Sequence, residues 1–82
     1  MKTKKHFTDM RHYDEYVTSL VEDGDTIKCL VEVSHCGVQS GDTGKVVGDV
    51  FKGVNGWNCV TVRWDKRGND LNMDCHEIEI LN

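Results

Sequence analysis

The 82-residue chain contains no proline, which excludes polyproline linkers and proline-braced loops. No apolar run approaches the roughly 20 residues of a membrane-spanning helix. Basic residues are not in excess either. Ten Lys plus Arg stand against 14 Asp plus Glu, a formal net charge of -4. A dedicated non-specific nucleic-acid binder carries a basic surface instead, and this acidity is too mild for an imitation of DNA. The opening Lys2-Thr3-Lys4-Lys5 is not followed by the apolar stretch of a secretory signal, because His6, Asp9, Arg11 and His12 come next. The expectation is a cytoplasmic protein whose four cysteines (Cys29, Cys36, Cys59 and Cys75) are reduced.

With 38% apolar and 29% charged residues, the composition is that of a small folded domain. A folded chain of this mass exposes roughly 5,000 Å², enough burial for one small core but not for a deep active-site cleft as well.

Two hydrophobic periods divide the chain near Gly24 into an N-terminal helix (1–24) and a β-rich unit (25–82) of one compact domain. Between Thr8 and Asp23, Met10, Tyr13, Val17, Leu20 and Val21 recur at three- and four-residue steps, which predicts an amphipathic helix. Thr8 is the expected N-cap and Gly24 the expected stop. After Gly24 the period becomes 2. Strands are predicted over 27–33, 45–51, 57–65, 71–73 and 77–81, with a bend at Gly48 and a hairpin at Asn55-Gly56. A single helical turn is expected at Asp74-Cys75-His76. Ile27, Cys29, Val31 and Val33 share one face of the first strand, and Val60, Val62 and Trp64 one face of the third. Five short strands are too few for a sandwich but can close into a small barrel.

Gly41-Asp42-Thr43-Gly44-Lys45-Val46-Val47 has the form G-x-x-G-x-V, and Val60-Thr61-Val62-Arg63-Trp64-Asp65 the form V-x-V-x-W-D. With the closing Glu77-Ile78-Glu79-Ile80-Leu81, residues 26–81 resemble a small SH3-like barrel. They are similar to KOW modules and to the barrel domain of Mind bomb and Herc-type ubiquitin ligases. The fold class expected is therefore mainly β, a five-stranded SH3-like barrel with one N-terminal α-helix. The resemblance implies binding of a protein or a nucleic acid rather than catalysis. KOW modules that hold nucleic acid usually carry basic and aromatic residues together, whereas residues 25–82 here hold six basic and nine acidic groups.

Candidate sites follow from residue type and spacing. His35-Cys36 and Cys75-His76 are neighbouring pairs of zinc ligands, joined by Cys29 and Cys59. No C-x₂₋₄-C knuckle is present, and adjacent residues on a strand point to opposite faces, so separate reduced thiols and no metal are expected. Cys36 beside His35 or His76 lacks the orienting third group of a nucleophilic site. No catalytic residue and no cofactor is assigned. The recognition face expected is Trp57, Thr61 and Arg63, flanked by Lys66, Arg67, His35 and Gln39. Aromatic and Arg anchors carry most interface energy, and long loops on a rigid scaffold mount recognition.

The sequence thus reads as a non-catalytic protein-binding module, an adaptor or a small inhibitor of a larger enzyme, for which a phage or mobile-element origin would fit. The rival reading is nucleic-acid binding through Arg63, Lys66, Arg67, Lys45 and Trp57. A second alternative concerns Trp57 itself, which would pack under the helix if the helix caps the barrel.

Overall fold

The computed structural model describes residues 9–32, 37–66 and 68–81. Helix α1 (Met10–Leu20) is followed by strands β1 (Thr26–Cys29), β2 (Thr43–Lys52), β3 (Asn58–Trp64) and β4 (Asp70–Asp74), a 3₁₀ turn (Cys75–Glu77) and β5 (Ile78–Ile80). All strand pairs are antiparallel, and the single sheet has the order β4-β3-β2-β1-β5. A meander of four strands with the fifth returned beside the first is an SH3-like arrangement, as the resemblance implied. No helix among the described residues is long and apolar enough to cross a membrane.

The inward faces are those that alternation predicts. Ile27 and Cys29 of β1, Val60, Val62 and Trp64 of β3, and Ile78 and Ile80 of β5 are buried to within 1% of full coverage. Val38, Val46, Met73, Cys75 and Val17 of the helix complete the core. Each such aliphatic side chain contributes roughly 1.5–3 kcal/mol by leaving water.

The path of β2 decides the barrel's shape. Its first residues pair with β1 (Thr26 with Lys45, Lys28 with Thr43) while the same stretch pairs with β3. The register then shifts between Val47 and Phe51, around Gly48 at φ 84°. That positive φ is open to glycine without steric cost, and the bulge turns the strand. The Gly48 N–H freed by the bulge donates to Asp23 Oδ1 at 2.7 Å, so the loop after α1 holds the bend. The expected bend at Gly48 and the hairpin at Asn55-Gly56 are both present. Gly53 N–H donates to Trp57 O at 2.8 Å, and Gly56 sits at φ 90°.

Several boundaries differ from the sequence reading. The helix is capped by Asp9, whose side chain accepts from Arg11 N at 2.9 Å; Thr8 lies outside the described residues. It ends at Leu20 rather than near Gly24, because the β-sheet captures the chain first. Gly24 N–H donates to Val46 O, Val46 N–H donates to Asp25 O, and the buried Asp25 carboxylate accepts from Glu22 N. Met10, expected on the apolar stripe, is 56% exposed, and Asp14 takes a buried place on it instead. β1 stops at Cys29, where Cys29 N–H turns to Asp42 O and Leu30 N–H to Glu77 O. Val31 still packs against the core, and Val33 lies outside the described residues. The expected helical turn is the 3₁₀ turn, displaced by one residue.

Gly44 meets a different demand from Gly48. A Cβ there would lie 2.6 Å from the Arg63 carbonyl oxygen, a backbone atom of the paired strand. Gly44→Ala is therefore expected to cost about 1–3 kcal/mol, as overpacking does, measured as the shift of a urea unfolding midpoint. An unchanged midpoint would mean that β2 and β3 are not this close.

Candidate functional site

β3 carries polar chemistry at both ends. At its N-terminal end the carboxylate of Asp14, 2% exposed, reaches from the middle of α1. Its Oδ1 accepts from Asn58 Nδ2 at 2.9 Å, and its Oδ2 lies 3.4 Å from His76 Nδ1. Thr18 Oγ1 donates to the Asp14 carbonyl at 2.7 Å, and Tyr13 OH donates to Ile78 O at 2.8 Å. The helix is thus fastened through side chains to β3, the 3₁₀ turn and β5.

Trp57 lies inside this assembly. Its ring is tilted 55° against the His76 imidazole with centroids 4.4 Å apart, and the Arg11 guanidinium stands 4.8 Å from its centroid. A cation over an indole face is attractive. The half-buried Trp57 therefore meets the first turn of the helix on one side and the 3₁₀ turn on the other. Trp57 thus touches the helix through Arg11 while part of its ring stays open to solvent.

The thiols here are quiet. Cys59 donates to Asp74 Oδ1 at 3.2 Å, and its pKa is pushed up to about 12, first by burial and then by that bond and the neighbouring carboxylates. Burial also pushes Cys75 up to about 11, with Asp14 and Asp74 adding to the effect and a bond with Thr18 opposing it. Cys29 is raised by burial while its thiol donates to Val31 O at 2.8 Å. Thiols held protonated at neutral pH are poor nucleophiles. Cys36, like His35, lies outside the described residues.

The other end of β3 holds the remaining recognition candidates. Arg63 makes a bidentate pair with Asp70, Nε to Oδ1 at 2.8 Å and Nη2 to Oδ2 at 3.2 Å. Thr61 Oγ1 donates to Asn72 Oδ1 at 2.9 Å across the same strand pair. Gln39 is exposed, and its backbone N–H donates to Asp42 Oδ2 at 3.0 Å. Lys66 borders an open depression of about 340 Å³ with Gly41, Asp42, Thr43 and Asp65. Lys45 donates from Nζ to Thr26 Oγ1 at 3.0 Å. Arg67 lies outside the described residues.

Trp57, just before β3, is six residues from Arg63, roughly 20 Å along an extended chain. The residues that the sequence reading did not single out are Asp14, Asn58 and Glu77. One signal was available for Asp14: it falls among Met10, Tyr13, Val17 and Leu20, on the apolar stripe where a carboxylate needs a partner.

A family model matches nearly the whole chain, residues 4–82; its description is Cul7, mouse development and cellular proliferation protein Cullin-7. Among curated proteins none matches the sequence.

The raised thiols give a pH dependence of definite sign. With ordinary values near 9.0 in the unfolded chain, the unfolded state loses these protons first as the solution becomes alkaline. The thiols' contribution to stability is complete below about pH 9 and is lost progressively as pH climbs towards the folded values of about 11 and 12. The thermal midpoint should fall through this window, and Cys59→Ser should flatten the fall. An alkaline profile identical in wild type and Cys59→Ser would show that the thiol does not titrate this way.

Proposed function

The chain belongs to the Cul7 family, and from that membership we propose that it is a non-catalytic protein-binding module. The Cul7 domain is a protein-interaction domain of cullin-7. The observation that carries the reading is the extent of the match: residues 4–82 include α1 as well as every strand. The shared unit is thus the helix fastened to the barrel, which offers a rigid surface. The raised pKa values of Cys29, Cys59 and Cys75 support a role without covalent chemistry at these thiols. In its finer form the reading is an adaptor or a small inhibitor of a larger enzyme, acting in the cytoplasm where thiols stay reduced. The motifs Gly41–Val47 and Val60–Asp65 support kinship with KOW modules and with Mind bomb and Herc-type barrels.

For the contact we propose the outward face of the β2–β3 hairpin, running from Thr61 and Arg63 to Phe51 and Val54. Phe51 lies opposite Cys59 in the register, on the face that carries Thr61. It is 39% exposed, and Val54 projects fully into solvent at the hairpin tip. Apolar anchors within a polar rim suit a protein partner. The commitment of Arg63 to Asp70 lessens what that residue offers to a phosphate backbone, which favours protein over nucleic acid.

Phe51→Asp and Val54→Asp lie on the surface and should change stability by no more than about 0.5 kcal/mol each. Affinity capture from the native host lysate with wild-type bait, followed by mass spectrometry, should recover a protein partner that the double variant no longer retains. A partner retained equally by both baits would displace the contact from this face. No protein partner, together with oligonucleotide binding that weakens steeply with salt, would favour the nucleic-acid reading.

A further inference from the structure

Asp74, His76 and Glu77 each offer one ligand atom, and these atoms all lie within 4.8 Å of one another. The 3₁₀ turn brings them together. Its tight winding sets Glu77 back over the residue that precedes the turn, and Asp74 N–H donates to Glu77 Oε1 at 2.9 Å. His76 stands between them with both ring nitrogens facing carboxylates. Nδ1 is 3.4 Å from Asp14 Oδ2, and Nε2 is 3.9 Å from Asp74 Oδ2.

The two distances differ in meaning. A proton on Nδ1 can be shared with the buried Asp14, and this choice leaves the Nε2 lone pair facing Asp74. The second gap is too long for a hydrogen bond. It is close to the separation of about 3.4 Å between two ligand atoms on a tetrahedral ion with bonds of about 2.1 Å. A histidine whose second nitrogen donates to a carboxylate is oriented and made more basic for metal binding. Asp74 is held as well, since its Oδ1 accepts from Cys59 while Oδ2 faces the imidazole. The carboxylate of Glu77 has a second oxygen, so its bond to the Asp74 amide and a metal bond can coexist. His76 and Asp74 side chains keep 12% and 21% of their exposure, which leaves a route from solvent.

We propose that Asp74, His76 through Nε2, and Glu77 form a binding site for a divalent first-row transition ion, zinc in the first place, with Asp14 as the positioning residue. One imidazole and two carboxylates suit zinc or cobalt better than a soft monovalent ion. The dication offsets the negative charge that Asp14, Asp74 and Glu77 concentrate around one imidazole. The set contains none of the cysteines weighed as ligands in the sequence, since Cys75 is buried in the core and Cys29 lies in β1.

The test is titration of the chelator-stripped full chain with Zn²⁺ by calorimetry and with Co²⁺ by visible absorption. His76 ring resonances are followed by NMR. One ion per chain should bind, raise the thermal midpoint and shift Nε2 while Nδ1 keeps its proton. His76→Gln and Glu77→Gln, the latter keeping an oxygen that can accept from the Asp74 amide, should each weaken binding at least about tenfold. Asp14→Asn should weaken it about 10–100-fold and leave the His76 ring as a mixture of tautomers, a change that loosened packing alone would not produce. A His35→Ala, Cys36→Ser variant should bind as wild type does. No stoichiometric binding at millimolar metal would overturn the proposal. So would binding that survives both His76→Gln and Glu77→Gln, or that vanishes in the His35, Cys36 variant.

Discussion

A carboxylate removed from water is among the costlier things a small protein can contain, and the placement of Asp14 organises much of this one. At 2% exposure, its charge would cost several kcal/mol if left without partners. The partners come from two elements remote in sequence: Asn58 opening β3 and His76 in the 3₁₀ turn. Satisfying one group therefore fixes the helix in both position and rotation. With that rotation set, Val17 enters the core, Tyr13 reaches the Ile78 carbonyl, and Arg11 comes to rest over Trp57. A purely apolar stripe would allow the helix to slide or roll; hydrogen bonds to a buried carboxylate do not.

The barrel and the helix are coupled a second time, through the bend in β2. The extra residue at the bulge leaves the Gly48 amide without a ladder partner, and Asp23 from the post-helix loop supplies one. Two residues on, Gly24 and Asp25 already pair with Val46. The end of α1, the start of β1 and the curvature of β2 are thus one local arrangement. The helix ends early because the sheet offers the backbone better partners than another turn would. Fastened at both ends, the helix belongs to the body of the domain, and the family match beginning at residue 4 spans it along with the strands.

Much of the fold was legible in the residues. Alternation at Val60, Val62 and Trp64 and at Ile78 and Ile80 leaves only one face to bury. Gly48 and Asn55-Gly56 announce their turns because few other residues take positive φ cheaply. Termini were less legible, since propensity extends the helix to Asp23 while the competing bonds to Val46 arise only in three dimensions. The candidate site was read from residue types that favour interfaces, and the contacts those residues make were not legible in the pattern. Trp57 and Arg63 share a strand face, but periodicity does not say that the helix claims one and Asp70 the other. The Asp14, Asn58, Asp74, His76 and Glu77 group spans more than 60 positions, and only the helix docking and the 3₁₀ turn bring it together. Asp14 on the apolar stripe and His76 in the Cys75-His76 pair were its visible traces.

The claim on which the rest depends is that α1 and the barrel open as a single cooperative unit, held by Asp14. Native-state hydrogen exchange tests it most directly, comparing the Val17 amide in the helix with the Val62 amide at the centre of β3. The account predicts opening free energies for the two that agree within about 1 kcal/mol and approach the global value, as for members of one cooperative unit. Val17 exchanging through a cheap local opening while Val62 remains fully protected would contradict it, for the helix would then be an appendage and Trp57 a surface it only intermittently covers.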